Sequence, residues 1–220
     1  MGTLNGNTIA VIDDRTAYGV GLADEFTKAV KAAGGAVVAR EFTTDMATDF
    51  RSILTTIKGK SPDVVFFGGM DAVAGPMLKQ MKSLGIKAKF MGGDGICSTE
   101  LVKIGGNAIA DDQVFCAEAG GVDGEAKSGM VEFKTKFKAK FGAEVQIYAP
   151  YVYDSVKVMV AAMVKAKSSD PAKYLPELAA TDYKGVTGPI SFDEKGDIKN
   201  GALTLKTVRA GKLETLAVIR

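Results

Sequence analysis

The feature that most constrains this chain is a repeated alternation between Thr8 and Glu118, in which short β-branched runs are each followed by an amphipathic segment and a glycine break. "TIAVID" precedes "YGVGLADEFTKAVKAAGG", "AVVAREFT" precedes "MATDFRSILTTIKGK", "DVVFFGG" precedes "DAVAGPMLKQMKSLG", and "KFMGG" precedes "STELVKIGG" and then "QVFCAE". Continuous apolar runs of about four to six residues suit strands buried on both faces, and the helices between them make successive strands parallel. The expected fold class is therefore α/β, a three-layer αβα unit around a doubly wound parallel sheet.

After Gly121 the pattern changes. "GEAKSGMVEFKTKFKAKFG" sets Met130, Phe133, Phe137 and Phe141 on one helical stripe, and "YVYDSVKVMVAAMVKAK" does the same with Val152, Val156, Met159, Val160 and Met163. Pro171 to Ala180 reads as a third, shorter helix. Stripes this wide need a sheet to bury them, and no strand-like run separates these helices, so the second half reads as the outer layer of an incomplete lobe. Unless something covers the stripes, the chain is expected to self-associate. "GPISFDEKGD" reads as a hairpin turning at Gly196-Asp197, and "ALTLKTVRAGKLETLAVI" returns to strands. Lys134, Lys136, Lys138 and Lys140 cluster on the first of these helices, but Glu132 and Glu144 interrupt the cluster, which suits a solvated face better than a membrane surface.

Composition removes several function classes. The 28 basic residues balance 26 acidic ones for a net charge of +2, which gives no electrostatic basis for a nucleic-acid partner. Histidine is absent, which excludes Ser-His-Asp and Cys-His catalysis, and two cysteines cannot fill a zinc site. No metal or other cofactor is expected. The opening "MGTLNGNTIAVIDD" carries no basic region followed by an apolar stretch, and no run of about 18 apolar residues occurs. The chain thus reads as leaderless, which leaves the compartment of a longer parent open.

In open parallel sheets ligands bind beyond the carboxyl ends of the strands. Four such ends are legible: Asp13-Asp14 with Tyr18, Gly68-Gly69-Met70-Asp71, Gly92-Gly93-Asp94-Gly95, and Ala117-Glu118-Ala119-Gly120. Glycine pairs let a ligand reach backbone N–H groups, or simply turn the chain. The pair Asp13-Asp14 resembles a phosphoryl-accepting receiver pocket, yet "VVFFGGM" lacks the further aspartate that chemistry needs. A dinucleotide fingerprint fails as well, because "YGVGLAD" places Asp24 where the third glycine belongs.

"IAVIDDRTAYGVGLADEF", "PDVVFFGGMDAVAGPMLKQMKSLGI", "FMGGDGI" and "GVTGPISFDEKGD", in this order and spacing, resemble the leucine/isoleucine/valine-binding proteins of bacterial amino-acid ABC importers. The resemblance spans Thr8 to about Arg209 and implies a periplasmic, non-catalytic protein whose two α/β lobes close over a small amino acid and deliver it to a membrane permease. It implies that residues 8–118 with 198–220 are the ligand-binding second lobe and that 121–197 are a remnant of a first lobe, most of which this chain does not carry. A ligand-sensing regulatory domain on the same fold is the alternative. Carried over residue by residue, Tyr18 matches the aromatic at the first helix of that lobe, Met70 the position where an aromatic often closes on the ligand, and Asp94 the acid that meets the ligand's ammonium. The flanking residues Gly69, Asp71, Gly93 and Gly95 complete the expected ligand-binding set. Methionine in place of the aromatic implies an altered side-chain pocket. Cys97 and Cys116 fall at the ends of neighbouring strands, where an exported protein would bridge them; two buried free thiols are the alternative.

Overall fold

The computed structural model describes residues 7–121 and 126–219. Residues 122–125 and residue 220, which the sequence-based boundaries include, lie outside the described residues. The chain divides into two compact units, Met1–Ala119 with Thr204–Ile219, and Gly120–Leu203.

In the first unit the elements run β1 (Thr8–Asp13), α1 (Ala17–Ala32), β2 (Ala36–Phe42), α2 (Arg51–Lys60), β3 (Val64–Gly68), α3 (Asp71–Ser83), β4 (Lys89–Gly92), a short 3-10 turn (Asp94–Ile96), α4 (Thr99–Gly105) and β5 (Val114–Ala119). Strands β8 (Leu203–Arg209) and β9 (Lys212–Ile219) close the unit, making one seven-stranded sheet in the order β2-β1-β3-β4-β5-β8-β9. The pairs β1/β2, β1/β3, β3/β4 and β4/β5 are parallel. This is the doubly wound α/β arrangement read from the alternation, and its order reverses beside β1, where strands lead first one way and then the other. Ala210 and Gly211, at φ 47° and 70°, form the two-residue turn that returns β8 as β9.

The buried strands explain the apolar runs. Val11, Ile12, Val65 and Phe67 are fully buried. Alternate residues serve the two faces: Ile9, Val11, Val64 and Phe66 pack with Ala23 and Val30 of α1, where Phe26 stacks on Phe66 with ring centroids 3.7 Å apart. On the other face Phe67 meets Phe90 at 6.2 Å, and α3 buries Met77, Leu78 and Met81.

The second unit holds α5 (Ala126–Phe141), α6 (Ala149–Ala166), α7 (Pro171–Ala179) and a small hairpin of β6 (Tyr183–Gly185) and β7 (Gly188–Ile190). No strand separates the three helices among the described residues. Phe133 of α5 packs on Tyr153 of α6 with centroids 5.1 Å apart. The apolar stripe of α6 lies uncovered, as expected of a stripe with no sheet to bury it: Val152, Val156, Met159 and Val160 are exposed, while the helix buries Pro150, Asp154, Val158 and Ala162. Asp154 can be buried because Val186 N–H, Thr187 N–H and the Thr187 hydroxyl all donate to it, at 3.0, 2.7 and 2.6 Å. The "SFDEKGD" segment closes through a single bridge, Phe192 to Ile198, with Gly196 at φ 86°; the regular hairpin lies one segment earlier. Lys199 N–H also returns to Ser191, so residues 198–203 group with the second unit and the boundary falls at 203/204 instead of near Ile198.

Candidate functional site

Three loops meet at the carboxyl ends of β1, β3 and β4, and local side-chain chemistry fixes each of them. At the end of β1, Asp14 Oδ1 accepts from the Thr16 N–H and hydroxyl at 3.0 and 2.6 Å, while the Thr16 hydroxyl accepts from Gly19 N–H at 2.9 Å and caps α1. The preceding Asp13 accepts from Arg15 N–H at 3.1 Å and from Arg40 at 2.8 Å, which holds Arg15 at φ 62°. This double brace sets the first turn of α1 and so places Tyr18. The loop after β3 is tied to it by Asp14 N–H, which donates to the Gly68 carbonyl at 3.0 Å.

Tyr18 joins the first loop to the third. Its hydroxyl donates to Asp94 Oδ1 at 2.9 Å and accepts from Gly95 N–H at 3.1 Å. The glycines make this approach possible. A Cβ at Gly95 would lie 2.7 Å from the Gly69 carbonyl oxygen, 2.9 Å from Met70 Sδ and 3.0 Å from the Tyr18 hydroxyl, and one at Gly93 would lie 2.6 Å from Leu22 Cδ2. A Cβ at Gly69 would meet the Phe67 ring at 2.3 Å and Asp14 Oδ2 at 2.9 Å. Protein atoms already fill the space a side chain would need, so loop-on-loop packing accounts for these glycines without any ligand.

The set read from the sequence divides accordingly. Tyr18, Gly69, Met70, Gly93, Asp94 and Gly95 come together in one place. Asp71 points its carboxylate elsewhere: it accepts from the Ser98 hydroxyl at 2.5 Å, and Ser98 in turn caps α4 through Leu101 N–H at 3.0 Å. There Asp71 also suits the positive end of α3. Cys97 and Cys116 are joined by a disulfide with Cα atoms 5.4 Å apart, both side chains buried. At the fourth strand end Glu118 pairs with Lys206 at 2.6 Å, and its Oε2 is buried with no hydrogen-bond partner. The sequence reading missed Thr16, Leu22 and Lys206. Thr16 carried a legible signal, a threonine just ahead of an amphipathic helix; the others depend on long-range packing.

Chemically, the cluster offers a half-buried carboxylate oriented by a phenol, beside Met70 and Tyr18, which are 46% and 38% exposed. It can receive a small cation together with apolar surface. Among the described residues there is no group of three or more acidic or thiol side chains suited to a metal ion. A separate open depression of about 630 Å³, lined by Lys58, Ser61, Asp63, Lys87 and Lys89 among others, lies at the opposite, amino ends of β3 and β4 and shares no residue with this cluster.

Comparison with known proteins agrees with the fold. Residues 1–212 match the family model described as "Periplasmic binding protein". The chain is 37% identical over 194 residues to a Leu/Ile/Val-binding protein homolog 1 of Brucella abortus, covering 87% of this chain and 50% of that protein. It is 33% identical over 198 residues to a leucine-, isoleucine-, valine-, threonine- and alanine-binding protein of Pseudomonas aeruginosa, covering 90% and 52%. The chain thus spans about half the length of these curated relatives. Among solved structures, a leucine-binding protein, LivK, from Thermotoga maritima superposes with a TM-score of 0.86 at 26% identity over 99% of this chain and 61% of that one. The substrate-binding protein LivJ of Streptococcus pneumoniae, in complex with isoleucine, gives 0.81 at 26% identity over 99% and 60%. With a mostly parallel sheet whose carboxyl-end loops converge on one acid and a family model matched along nearly its whole length, the chain belongs to the periplasmic binding protein family.

Proposed function

We propose that this chain is part of a solute-binding protein that captures a small aliphatic amino acid in the periplasm for an ABC importer, without catalysing any reaction. The observation that carries the reading is the Asp94 carboxylate, half-buried at a strand end and held by Tyr18. Asp94 pairs with the ligand's ammonium, Tyr18 fixes the carboxylate, and Met70 lines the side-chain pocket. The functions for which the relatives are named, binding of leucine, isoleucine and valine, support the ligand class. In this reading the first unit is the second lobe and residues 120–203 belong to the first lobe, whose remaining half covers the exposed α6 face in the two-lobed protein. The loaded protein then docks on its membrane permease.

The test is calorimetry with L-leucine on the two-lobed protein, on its Asp94→Asn variant and on the present chain. Asp94→Asn weakens binding by about 2–4 kcal/mol, because the ammonium is left in a closed cleft without its charge partner. The present chain binds far more weakly than the two-lobed protein, since groups that orient a small zwitterion and the wall that excludes water are missing. Equal affinity of the folded Asp94→Asn variant and its parent would make Asp94 a turn residue and remove this assignment.

A further inference from the structure

The turn that carries Asp94 is fastened at both ends to one residue. Gly92, the last residue of β4, is the register partner of Cys116 in the parallel ladder with β5. Five positions later Cys97 returns to Cys116 through the disulfide, with Cα atoms 5.4 Å apart. The segment Gly92–Cys97 therefore forms a closed ring on the body of the sheet, and Asp94 stands in its middle. Inside the ring Cys97 N–H donates to the Asp94 carbonyl at 2.9 Å, and Ile96 N–H to the Gly93 carbonyl at 3.3 Å. A 3-10 turn of three residues has little internal cohesion, because its hydrogen-bond geometry is poor and the run is short. The turn's last residue, Ile96, and Cys116 below it are fully buried, and Cys97 is 3% exposed.

We propose that the Cys97–Cys116 disulfide is a positioning group for Asp94: it holds the turn so that the carboxylate meets the ligand's cationic group at ion-pairing distance. The inference rests on the reading of Asp94 as the ammonium's partner. Without the covalent link, the far end of the ring keeps only non-covalent ties, its packing, the Ser98–Asp71 hydrogen bond beside it and the Tyr18 hydroxyl on Asp94 and Gly95, and the turn can shift by the fraction of an ångström that a short charge-assisted contact does not tolerate. A bridge that served stability alone would affect every ligand alike, whereas a positioning bridge matters to ligands that use Asp94.

The experiment uses the two-lobed protein and two probes: L-leucine, and 2-hydroxy-4-methylpentanoate, which keeps the carboxylate and branched side chain but has a hydroxyl in place of the ammonium. Cys97→Ala with Cys116→Ala is expected to weaken leucine binding about tenfold, to leave the hydroxy acid within about twofold, and to add no further loss when Asp94→Asn is present. Wild-type protein refolded anaerobically in reductant keeps both sulfur atoms and loses only the S–S bond; it gives the same pattern and serves where the double variant does not fold. Unchanged leucine affinity, or equal weakening of both probes, overturns the positioning role. An Asp94→Asn variant that binds leucine as tightly as wild type instead overturns the reading beneath it, so the two failures are distinguishable.

Discussion

The Tyr18 hydroxyl donates to Asp94 at 2.9 Å across 76 residues of sequence. Since the same oxygen accepts from Gly95 N–H at 3.1 Å, one phenol holds both the side chain and the backbone of the turn. Tyr18→Phe removes both bonds at no cost in shape. The expected loss of stability is about 1–2 kcal/mol, the sum of two bonds partly replaced by water at a residue 38% exposed. Denaturant unfolding measures it, and a midpoint identical to wild type would mean that solvent substitutes fully for the phenol.

Adding one methyl group to the glycine interlock has the opposite sign from adding it to an open helix. Gly95→Ala places a Cβ 2.7 Å from a backbone oxygen that cannot rotate away, and overpacking of this kind costs about 1–3 kcal/mol. Gly59 lies in α2, where an added Cβ would find nothing within 4 Å, so Gly59→Ala gains up to about 1 kcal/mol from reduced chain entropy. Thermal melts of the two variants should therefore move in opposite directions, and equal shifts would refute the steric account.

At the other end of the strands, Asp63 ties the start of β1 to β3. Its Oδ2 accepts from the Thr8 and Asn7 N–H groups, each at 2.9 Å, and from the Thr8 hydroxyl at 2.8 Å. The Thr8 N–H, followed by the Asn7 N–H and the Thr8 hydroxyl, holds the carboxyl below its ordinary range. A carboxyl depressed in the folded state stabilises above its unfolded value of about 3.9, and that stability is lost as pH falls through the folded value. Asp63→Asn should therefore lower the melting temperature at neutral pH and flatten its acid dependence below about pH 4. Parallel pH profiles for variant and wild type would contradict this.

The exposed α6 face sets the behaviour of the present chain alone. Val152, Val156, Met159, Val160 and Val164 are 59, 56, 42, 49 and 70% exposed, an apolar strip of the kind monomers rarely keep. Light scattering should show concentration-dependent association, which Val156→Glu with Met159→Lys reduces. A monomer at every concentration would show that the strip is tolerated in water.

Much of the fold was legible because buried parallel strands need continuous apolar runs, and "TIAVID" and "DVVFFGG" have them. Asp94 stood out as a carboxylate between glycines at a strand end. The reason for those glycines was not legible, since it lies in Leu22, Met70 and the Gly69 carbonyl, all brought in by tertiary packing. The exposed valine-methionine stripe of α6 was legible as a face with no sheet to cover it, whereas the buried side with Asp154 was not, because its partners come from the loop at 186–187. The boundary near 203 also escaped, because Lys199 N–H bonds back to Ser191 and composition does not change there.

The glycine interlock also separates what can vary from what cannot. Gly69 and Gly95 leave no room for an added atom, whereas Met70 extends from the same frame with nearly half its surface in solvent. For anyone retuning such a protein as a sensor, diversity placed at residue 70 alters the chemistry of the rim while the scaffold that carries it stays intact, and diversity placed one residue earlier spends itself on misfolded clones.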